Sequence, residues 1–415
     1  MEQYNNFYFV LGRENKISQT ELECVLASFD FGFSPANISI LSDQVLEIKL
    51  AASSGQVKKL IEILGGTVKI FQKIAPANEK IENLLLAEDK SSKIIFGLSN
   101  YSSAKVDTFR MALSAKKAAK KSVRIIDGKE GDRLSSAQSF QYKMDLDNVE
   151  YGLFETGIGK LIAVQNINEW TRHDYDKPKS DAKSGMLPPK LARMMVNLAV
   201  GQVNDETRIN NDEDSGSSFC IRHSGLRPLV VDPFCGSGNV LIEAISVGCD
   251  VIGSDLSEKA VSDTRENLEW LIQNSKVESQ NCNSKVKISQ ANATELDFAA
   301  IDRDFVVATE PFLGQPRTSK LRIEEEAEAK NEITKLYLGF FRNLKLTADS
   351  QKLKAICVVF PLFELANGKK LSIFEDCVDF IRDIGYTTVC PPLEYGRDYQ
   401  VVKRQIVILK LSADS

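Results

Sequence analysis

The chain has 415 residues, of which 43% are hydrophobic and 26% are charged, so it is long enough for two or three packed domains. No apolar run approaches the roughly 20 residues of a membrane-spanning helix, and the N-terminal residues lack the basic and apolar regions of a secretory signal. Eight scattered cysteines without a C-x-x-C pair, and two histidines, argue against zinc and against histidine-based catalysis. We therefore expect a cytoplasmic protein with reduced thiols, no metal and no membrane contact.

The formal net charge of −5 is unevenly distributed along the chain. Residues 101–200 hold 17 Lys and Arg against 12 Asp and Glu, which leaves a local charge of +5 and −10 for the remainder. A basic middle on an acidic chain favours an RNA-binding module beside a cofactor-binding one.

Residues 6–72 alternate strand and helix signals in the order βαββαβ, which predicts a ferredoxin-like module. Ser18 and Glu21 have the spacing of a capping box, so we expect a helix to begin there and to run to about Phe29. The other predicted elements are strands at Phe7–Leu11, Ile38–Ile40, Val45–Leu50 and Thr67–Phe71 and a helix at Val57–Leu64. This arrangement hosts many functions and by itself predicts none.

Residues 92–167 predict a second small α/β module. Its expected elements are strands at Lys93–Leu98, Val123–Ile126 and Leu161–Val164 and a helix at Val106–Lys121. Four lysines close that helix: Lys116, Lys117, Lys120 and Lys121. They are consistent with phosphate binding, but a solvated helix C-terminus, which the helix dipole favours, is the preferred interpretation because aromatics for base stacking are not interleaved here.

The next segment, 168–187, is polar and is broken by Pro178 and Gly185, which predicts a linker. Pro188-Pro189 then opens a helix with an apolar face. Residues 201–227 are rich in Asn, Asp, Ser and Gly and indicate a flexible insertion.

Residues 229–256 carry the strongest signal in the chain, in the order strand, glycine turn, helix, strand and acid. The strand Leu229–Val231 ends in Asp232, and Gly236 and Gly238 form the turn. Glycine lets the backbone approach a ligand closely, and Asp255 lies where a carboxylate would accept both hydroxyls of a ribose. This pattern predicts a site for an adenosyl group.

Asp232 separates two kinds of adenosyl ligand. A carboxylate before the glycine turn would repel a pyrophosphate, but it suits a free amino group and a sulfonium charge. The turn also lacks the third glycine usual in dinucleotide-binding loops. The predicted ligand is S-adenosylmethionine, and a nicotinamide enzyme is the least favoured reading.

From residue 229 onward, strand and helix signals alternate to the end, which predicts a doubly wound, Rossmann-like α/β domain. Further strands are expected at Val286–Ile288, Phe305–Ala308, Ala355–Phe360 and Val401–Leu411, with helices near 258–272, 322–346 and 370–384. The last strand is expected to pair near Tyr386–Cys390.

A second motif, Glu310-Pro311-Phe312-Leu313, follows the strand Phe305–Ala308 and should therefore face the ligand crevice. An exocyclic amino group is a poor nucleophile, and acceptors at its N–H bonds would orient its nitrogen toward a methyl group. Glu310 and the carbonyl of Pro311 could accept those bonds, and Phe312 could stack on the base. Positioning should dominate such an in-line displacement, without a strong general base.

With these motifs, the chain resembles the THUMP-domain tRNA (guanine-N2) methyltransferases. The most specific pieces are DPFCGSGNVLIEA and GMLPPKLA; DLSEKAVSDTRENLEW, LSSAQ and YGRDYQVVKRQIVIL also match. The resemblance implies modules at 1–75 (ferredoxin-like) and 76–167 (THUMP-like, RNA-binding), a linker at 168–187 and a class I methyltransferase domain at 188–415. It implies S-adenosylmethionine as donor, a tRNA guanosine as acceptor, and leaves open a small activator subunit.

Carried over by position, the cofactor-binding residues are Asp232, Phe234, Gly236, Gly238, Asp255, Asn292 and Ala293, and the catalytic residues are Glu310, Pro311 and Phe312. The chain departs from the family twice. Asn292 stands where Asp usually reads the adenine amino group, and an amide oxygen can still accept that bond. Glu310-Pro311-Phe312-Leu313 replaces Asp-Pro-Pro-Tyr, so a non-catalytic RNA-binding protein and a DNA amino-methyltransferase stay open as alternatives.

Overall fold

The computed structural model describes residues 4–88, 94–119, 122–128, 132–180, 186–203, 227–274, 284–397 and 400–412. The chain divides into two compact units, Met1–Trp170 (the first unit) and Thr171–Ser415 (the second unit). Most of the insertion predicted at 201–227 lies outside the described residues. Among the described helices, none is long and apolar enough to cross a membrane.

The first unit is built on one mixed sheet of eight described strands in the order β2-β3-β1-β4-β8-β7-β5-β6. Its strands are β1 (Asn5–Leu11), β2 (Ile38–Ser42), β3 (Val45–Leu50), β4 (Thr67–Ala75), β5 (Ile94–Asn100), β6 (Val123–Ile126), β7 (Val149–Phe154) and β8 (Gly157–Val164). Its helices are α1 (Asn15–Ala27), α2 (Ser54–Ile63), α3 (Ile81–Ala87), α4 (Thr108–Ala119), α5 (Ser136–Gln141) and α6 (Ile167–Thr171), the last at the border of the units. The βαββαβ order predicted for residues 6–72 is present.

The predicted capping box at Ser18 and Glu21 is wrong, because α1 begins at Asn15, one turn earlier. The Ser18 hydroxyl instead donates to the carbonyl of Glu14 inside the helix. Glu21 is buried, and its two carboxylate oxygens accept the backbone N–H groups of Gly65 and Gly66, each at 2.8 Å. The same residues therefore join α1 to the turn before β4.

A buried ion pair ties β4 to β7 within the first unit. Lys69 Nζ lies 2.6 Å from Glu150 Oε1, and both side chains are almost completely buried. The hydroxyls of Ser99 and Ser139 donate to the same carboxylate, and Lys69 also donates to the carbonyl of Leu134. The Lys69 ammonium and the Glu150 carboxylate are therefore paired with each other and hydrogen-bonded to neighbouring groups, as burial of charges in a low dielectric requires.

The predicted module boundary between residues 75 and 76 stays a prediction. β4 pairs with β8 in an antiparallel ladder, so the strands on its two sides lie in one continuous sheet. The sequence also gave no signal for β7 or α5. The start of α5 contains a capping box between Ser135 and Gln138, inside the LSSAQ stretch.

The second unit is a doubly wound α/β sheet, which confirms the predicted fold class. Its main strand order is β11-β10-β9-β12-β13-β17-β15, with the first five strands parallel and β17 antiparallel to both of its neighbours. The strands are β9 (Leu229–Asp232), β10 (Asp250–Asp255), β11 (Val286–Gln290), β12 (Phe305–Thr309), β13 (Leu353–Glu364), β14 (Lys370–Ser372), β15 (Tyr386–Thr388), β16 (Leu393–Tyr395) and β17 (Val402–Leu411). The predicted pairing of the C-terminal strand with the one near Tyr386 is confirmed.

Helices cover both faces of this sheet. They are α7 (Pro189–Val200), α8 (Asn239–Ser246), α9 (Glu258–Asn274), α10 (Ile323–Thr347) and α11 (Ile373–Asp383). Each follows the predicted position within a few residues. α7 is buried along nearly its whole length, including its polar residues Arg193 and Asn197, as expected of a helix inside a larger domain.

Part of the predicted linker 168–187 is built into the second unit. Residues Arg172–Asp176 form a π-helical turn that buries His173. His173 Nδ1 lies 2.7 Å from the carboxylate of Glu243 on α8, which also pairs with the buried Arg193 at 2.6 Å. Residues 181–185 of the linker lie outside the described part of the chain.

The buried pair in the first unit generates a stability prediction. Lys69→Met leaves the Glu150 carboxylate buried without its cation, so we expect the free energy of unfolding to fall by about 3–5 kcal/mol. Lys143→Met is the matched control, because Lys143 and Asp147 form a largely exposed pair at 4.0 Å and its loss should cost under about 1 kcal/mol. Urea denaturation followed by circular dichroism measures both. Equal effects of the two substitutions would contradict the structural role of the pair.

Candidate active site

The predicted site residues come from strands that end at one edge of the second unit's sheet. Asp232 ends β9, Asp255 ends β10, and Glu310 follows the last residue of β12. These strands are parallel and adjacent, with β9 between β10 and β12. The chain leaves β9 through α8 to β10 on one side and passes from β11 to β12 on the other side, so this is the topological switch point at which open α/β sheets bind ligands.

A cavity of about 430 Å³ lies at this switch point. Nine of the ten predicted site residues line it: Asp232, Phe234, Gly236, Asp255, Asn292, Ala293, Glu310, Pro311 and Phe312. The tenth, Gly238, is not among the lining residues. Met186 and Leu187, just before α7, and Asn239 at the start of α8 also line the cavity, although none of the three is among the predicted site residues.

The two glycines of the turn are needed for different reasons. Gly236 has φ of +53°, and a Cβ added there would meet no protein atom within 4 Å, so the space above it is open to a ligand. Gly238 has φ of +86° and precedes α8, where a Cβ would come within 3.1 Å of Thr264. Gly238 therefore shapes the turn and the packing beneath it instead of the cavity wall.

Asp255 is held by backbone donors on both of its carboxylate oxygens. Oδ2 accepts the N–H of Gly236 at 3.0 Å, and Oδ1 accepts the N–H of Ser257 at 2.9 Å. The next residue, Leu256, is 70% exposed and forms an apolar wall of the cavity. A carboxylate beside an exposed apolar side chain suits a ribose and the flat ring attached to it.

Asp232 is an acid whose pKa departs strongly from its usual value. Its carboxylate is buried, and it accepts the Thr309 hydroxyl at 2.6 Å and the N–H of Phe234 at 3.2 Å. Burial raises the pKa of Asp232 to about 7; these hydrogen bonds oppose the shift, and the nearby carboxylates of Asp255 and Glu310 add to it. A bound cation would favour its ionised form.

Glu310 has a partner that the sequence did not reveal. Arg404 on β17 donates from Nε to Oε1 at 2.5 Å and from Nη2 to Oε2 at 3.4 Å. Burial raises the pKa of Glu310, and the adjacent Arg404 guanidinium opposes that rise. The two residues are 94 positions apart, so no local motif could have joined them.

The side-chain oxygen of Asn292 already has two donors within the protein. Its Oδ1 accepts both the N–H and the hydroxyl of Thr294, at 3.1 and 2.9 Å. An adenine amino group would therefore compete with Thr294 for hydrogen bonds to this oxygen. Its side chain still lines the cavity.

The residues fit S-adenosylmethionine by charge and by shape. The described residues that line the cavity include three acids, Asp232, Asp255 and Glu310, and no lysine or arginine, which suits a cationic ligand. The open space above Gly236 lets the ligand approach the backbone. Burial raises the pKa of the Cys235 thiol, so this thiol stays protonated and is not a nucleophile.

Comparison with known proteins supports this assignment. The model of the family described as "Conserved hypothetical protein 95" matches residues 204–311, a range that includes Asp232, Asp255 and Glu310 and ends at Pro311. The chain is 36% identical over 85 residues to the tRNA (guanine(10)-N2)-dimethyltransferase of Methanothermobacter thermautotrophicus, covering 20% of this chain and 18% of the relative. It is 30% identical over 158 residues to the enzyme of the same name from Methanocaldococcus jannaschii, covering 36% and 35%.

The chain thus spans between about a fifth and a third of the length of these relatives. Among solved structures, a possible methylase from Clostridium difficile 630 covers 98% of both chains at 13% identity, with a TM-score of 0.43. Strand order, the motifs in the cavity and the sequence matches together give the second unit the class I fold of S-adenosylmethionine-dependent methyltransferases.

Asp255→Ala tests the ribose end of the cavity. We expect the affinity for S-adenosylmethionine to fall by roughly 10- to 100-fold, because hydrogen bonds to a charged group are lost. Isothermal titration calorimetry measures it. Asp304→Ala is the control, since Asp304 pairs with Lys354 before β12, away from the strand ends that carry the acids. Unchanged affinity in Asp255→Ala would remove that residue from the site.

Asp232 predicts a pH dependence of cofactor binding. Below pH 7 this carboxyl binds a proton and loses its attraction for a cation; above pH 7 it is charged. Affinity for S-adenosylmethionine should therefore rise from pH 6 to pH 8, by up to about tenfold, with proton release on binding near pH 7. Asp232→Asn should lose this dependence, and any part that persists belongs to the ligand's own amino group. Identical pH profiles of the two proteins would contradict the prediction.

Proposed function

We propose that this protein is an S-adenosylmethionine-dependent RNA methyltransferase that modifies the exocyclic N2 amino group of a guanosine in tRNA. One observation carries the proposal. Asp232, Asp255 and Glu310 share a single cavity at the switch point of the sheet. The choice of tRNA and of guanine rests on relatives that are named tRNA (guanine(10)-N2)-dimethyltransferases.

On the donor side, Asp255 would accept the ribose hydroxyls and Leu256 would cover the adenine ring. Asp232 would face the cationic end of the ligand, which the Gly236 turn brings close to the backbone. S-adenosylmethionine, when bound, supplies the methyl group. Phe234, Asn292 and Ala293 complete the wall on this side.

On the acceptor side, Glu310 and the carbonyl of Pro311 would accept the N–H bonds of the amino group. Phe312 is 40% exposed at the cavity, which is unusual for a phenylalanine and suits stacking on a base. These groups orient the amino nitrogen, so most of the rate enhancement would come from positioning. No residue needs to act as a strong base.

We infer that the first unit supplies the RNA contacts, with a ferredoxin-like module at 1–75 and a THUMP-like module at 76–167. Helix α4 exposes Phe109, Arg110, Lys116 and Lys117. An exposed aromatic side chain beside cations can stack on an unpaired base while the cations contact phosphates. This combination favours binding of single-stranded RNA over a helix end that is merely solvated. Lys120 and Lys121 lie outside the described residues. Action on tRNA favours the cytoplasm.

Two alternatives compete with this function. A non-catalytic RNA-binding protein would explain the altered Glu310 tetrad, but it would not need an acid in the cofactor cavity and an exposed Phe312 beside it. A DNA amino-methyltransferase would share the cavity, but the basic α4 and the tRNA-modifying relatives favour RNA.

Glu310→Ala is expected to abolish methyl transfer, with a loss in turnover of at least about 100-fold, because the amino group loses an oriented acceptor. Cofactor affinity should fall much less than turnover, since Asp232 and Asp255, and not Glu310, lie on the donor side. Glu394→Ala is the control, because Glu394 forms an exposed pair with Lys370 on another strand. Full turnover in Glu310→Ala would exclude it from the mechanism.

Incubation with bulk tRNA and labelled S-adenosylmethionine tests the function itself. Mass spectrometry of the digested nucleosides should find N2-methylated guanosine. Cofactor binding without transfer to any nucleic acid would favour the non-catalytic alternative. Transfer to DNA but not to tRNA would favour the DNA enzyme.

A further inference from the structure

Arg404 lies on β17, and the strands that pair with β17 around it are remote in sequence from the Glu310 motif. It lies near the start of β17, between its pairing partners Pro361 of β13 and Tyr395 of β16. Its side chain is only 10% exposed and that of Glu310 16% exposed. Two flanking strands fix its backbone, so the guanidinium has little freedom to leave the carboxylate.

The contact between the two side chains is uneven. Nε donates to Oε1 at 2.5 Å, whereas Nη2 is 3.4 Å from Oε2. Oε1 is therefore engaged strongly and Oε2 weakly. A carboxylate oxygen has two acceptor sites, so the weakly held Oε2 keeps capacity for a further donor in the cavity.

The other charged and titratable groups near Glu310 make this partner necessary. Asp232 on β9 is an acid that lines the same cavity, and its electrostatic interaction with Glu310 is repulsive. Tyr337 on α10 is a buried phenol that donates to the carbonyl of Val359, and Tyr395 faces Arg404. Among these neighbours, Arg404 supplies the positive charge. Without it, burial and Asp232 would both favour the protonated form of Glu310.

The charge state of Glu310 decides which base it can accept. An ionised carboxylate offers acceptors alone, whereas a protonated carboxyl offers one donor and one acceptor. The amino edge of guanine presents two donors, the ring N1–H and the amino N–H. The amino edges of adenine and cytosine present one donor and one ring-nitrogen acceptor. An ionised Glu310 therefore matches guanine, and a protonated one matches the other two.

We propose that Arg404 is a positioning residue that holds Glu310 as an ionised, acceptor-only group at the cavity and thereby selects guanine as the acceptor base. This inference rests on the proposed methylation of an exocyclic amino group. Arg404 itself acts through Glu310 and contacts no reacting atom.

The experiment compares Arg404→Met and Arg404→Lys with the unsubstituted full-length protein. For Arg404→Met we expect the rising limb of the pH–rate profile to move up by about one unit or more, and kcat/KM on bulk tRNA at pH 7 to fall by up to about tenfold for each unit of that movement. Affinity for S-adenosylmethionine by calorimetry should be unchanged. Arg404→Lys keeps the charge and should restore the pH profile toward that of the unsubstituted protein.

Lys403→Met is the matched control, because Lys403 precedes Arg404 on β17 and pairs with Glu364 instead of Glu310. Its pH profile should not move. If Arg404→Met does not fold by circular dichroism, Arg404→Gln carries the same test with a neutral hydrogen-bonding side chain. In a Glu310→Gln background, replacing Arg404 should cause no further shift of the pH profile, because the titrating group is gone.

A pH profile that stays in place in Arg404→Met or Arg404→Gln overturns the inference while leaving the methyltransferase function intact. Efficient methylation of adenosine or cytidine by the unsubstituted protein also overturns it. An unsubstituted protein that transfers no methyl group to any nucleic acid instead refutes the proposed function. Nucleoside mass spectrometry of the reaction products gives both the rate at each pH and the identity of the methylated base, so these outcomes can be told apart.

Discussion

The parallel pairing of β9 with β10 and β12 is the constraint on which the site depends. Parallel strands bring their carboxyl ends to the same edge, so acids that end different strands must converge. Asp232, Asp255 and Glu310 are separated by 23 and 55 positions in the chain, as their numbers show, but they line one cavity. A shift of one strand by a single residue would turn its acid to the other face of the sheet.

Gathering three acids in one cavity has an electrostatic cost that the surroundings offset in different ways. Asp255 receives two backbone N–H donors, Asp232 receives a hydroxyl and an N–H, and Glu310 receives an arginine. Asp232 has no cation among these partners, and its pKa is the one raised to about 7. This acid is therefore the part of the site that gains most from a cationic ligand.

The first unit also buries a carboxylate, but there a lysine of the protein neutralises its charge. Lys69 and Glu150 are a fully buried pair, and serine hydroxyls and a backbone carbonyl supply their other hydrogen bonds. The protein itself thus balances this carboxylate without a ligand. This network joins strands on both sides of the predicted module boundary at residue 75, and the sheet runs across it. The Lys69–Glu150 pair joins strands of the fold, whereas the Arg404–Glu310 pair lies at the wall of a cavity.

The sequence alone determined the order of most helices and strands, the doubly wound class of the second unit, and nine residues of the cavity wall. These features are local: apolar periodicity, a glycine turn and an acid at a strand end can each be read within a few residues. It misplaced the start of α1, missed β7 and α5, and held no sign that Thr294 donates twice to the Asn292 oxygen. Only the tertiary structure joined Arg404 to Glu310 and Lys69 to Glu150, because each pair is set by strand neighbours dozens of residues apart. The contacts that fix the charge of a buried acid are long-range, and a linear pattern carries no record of them.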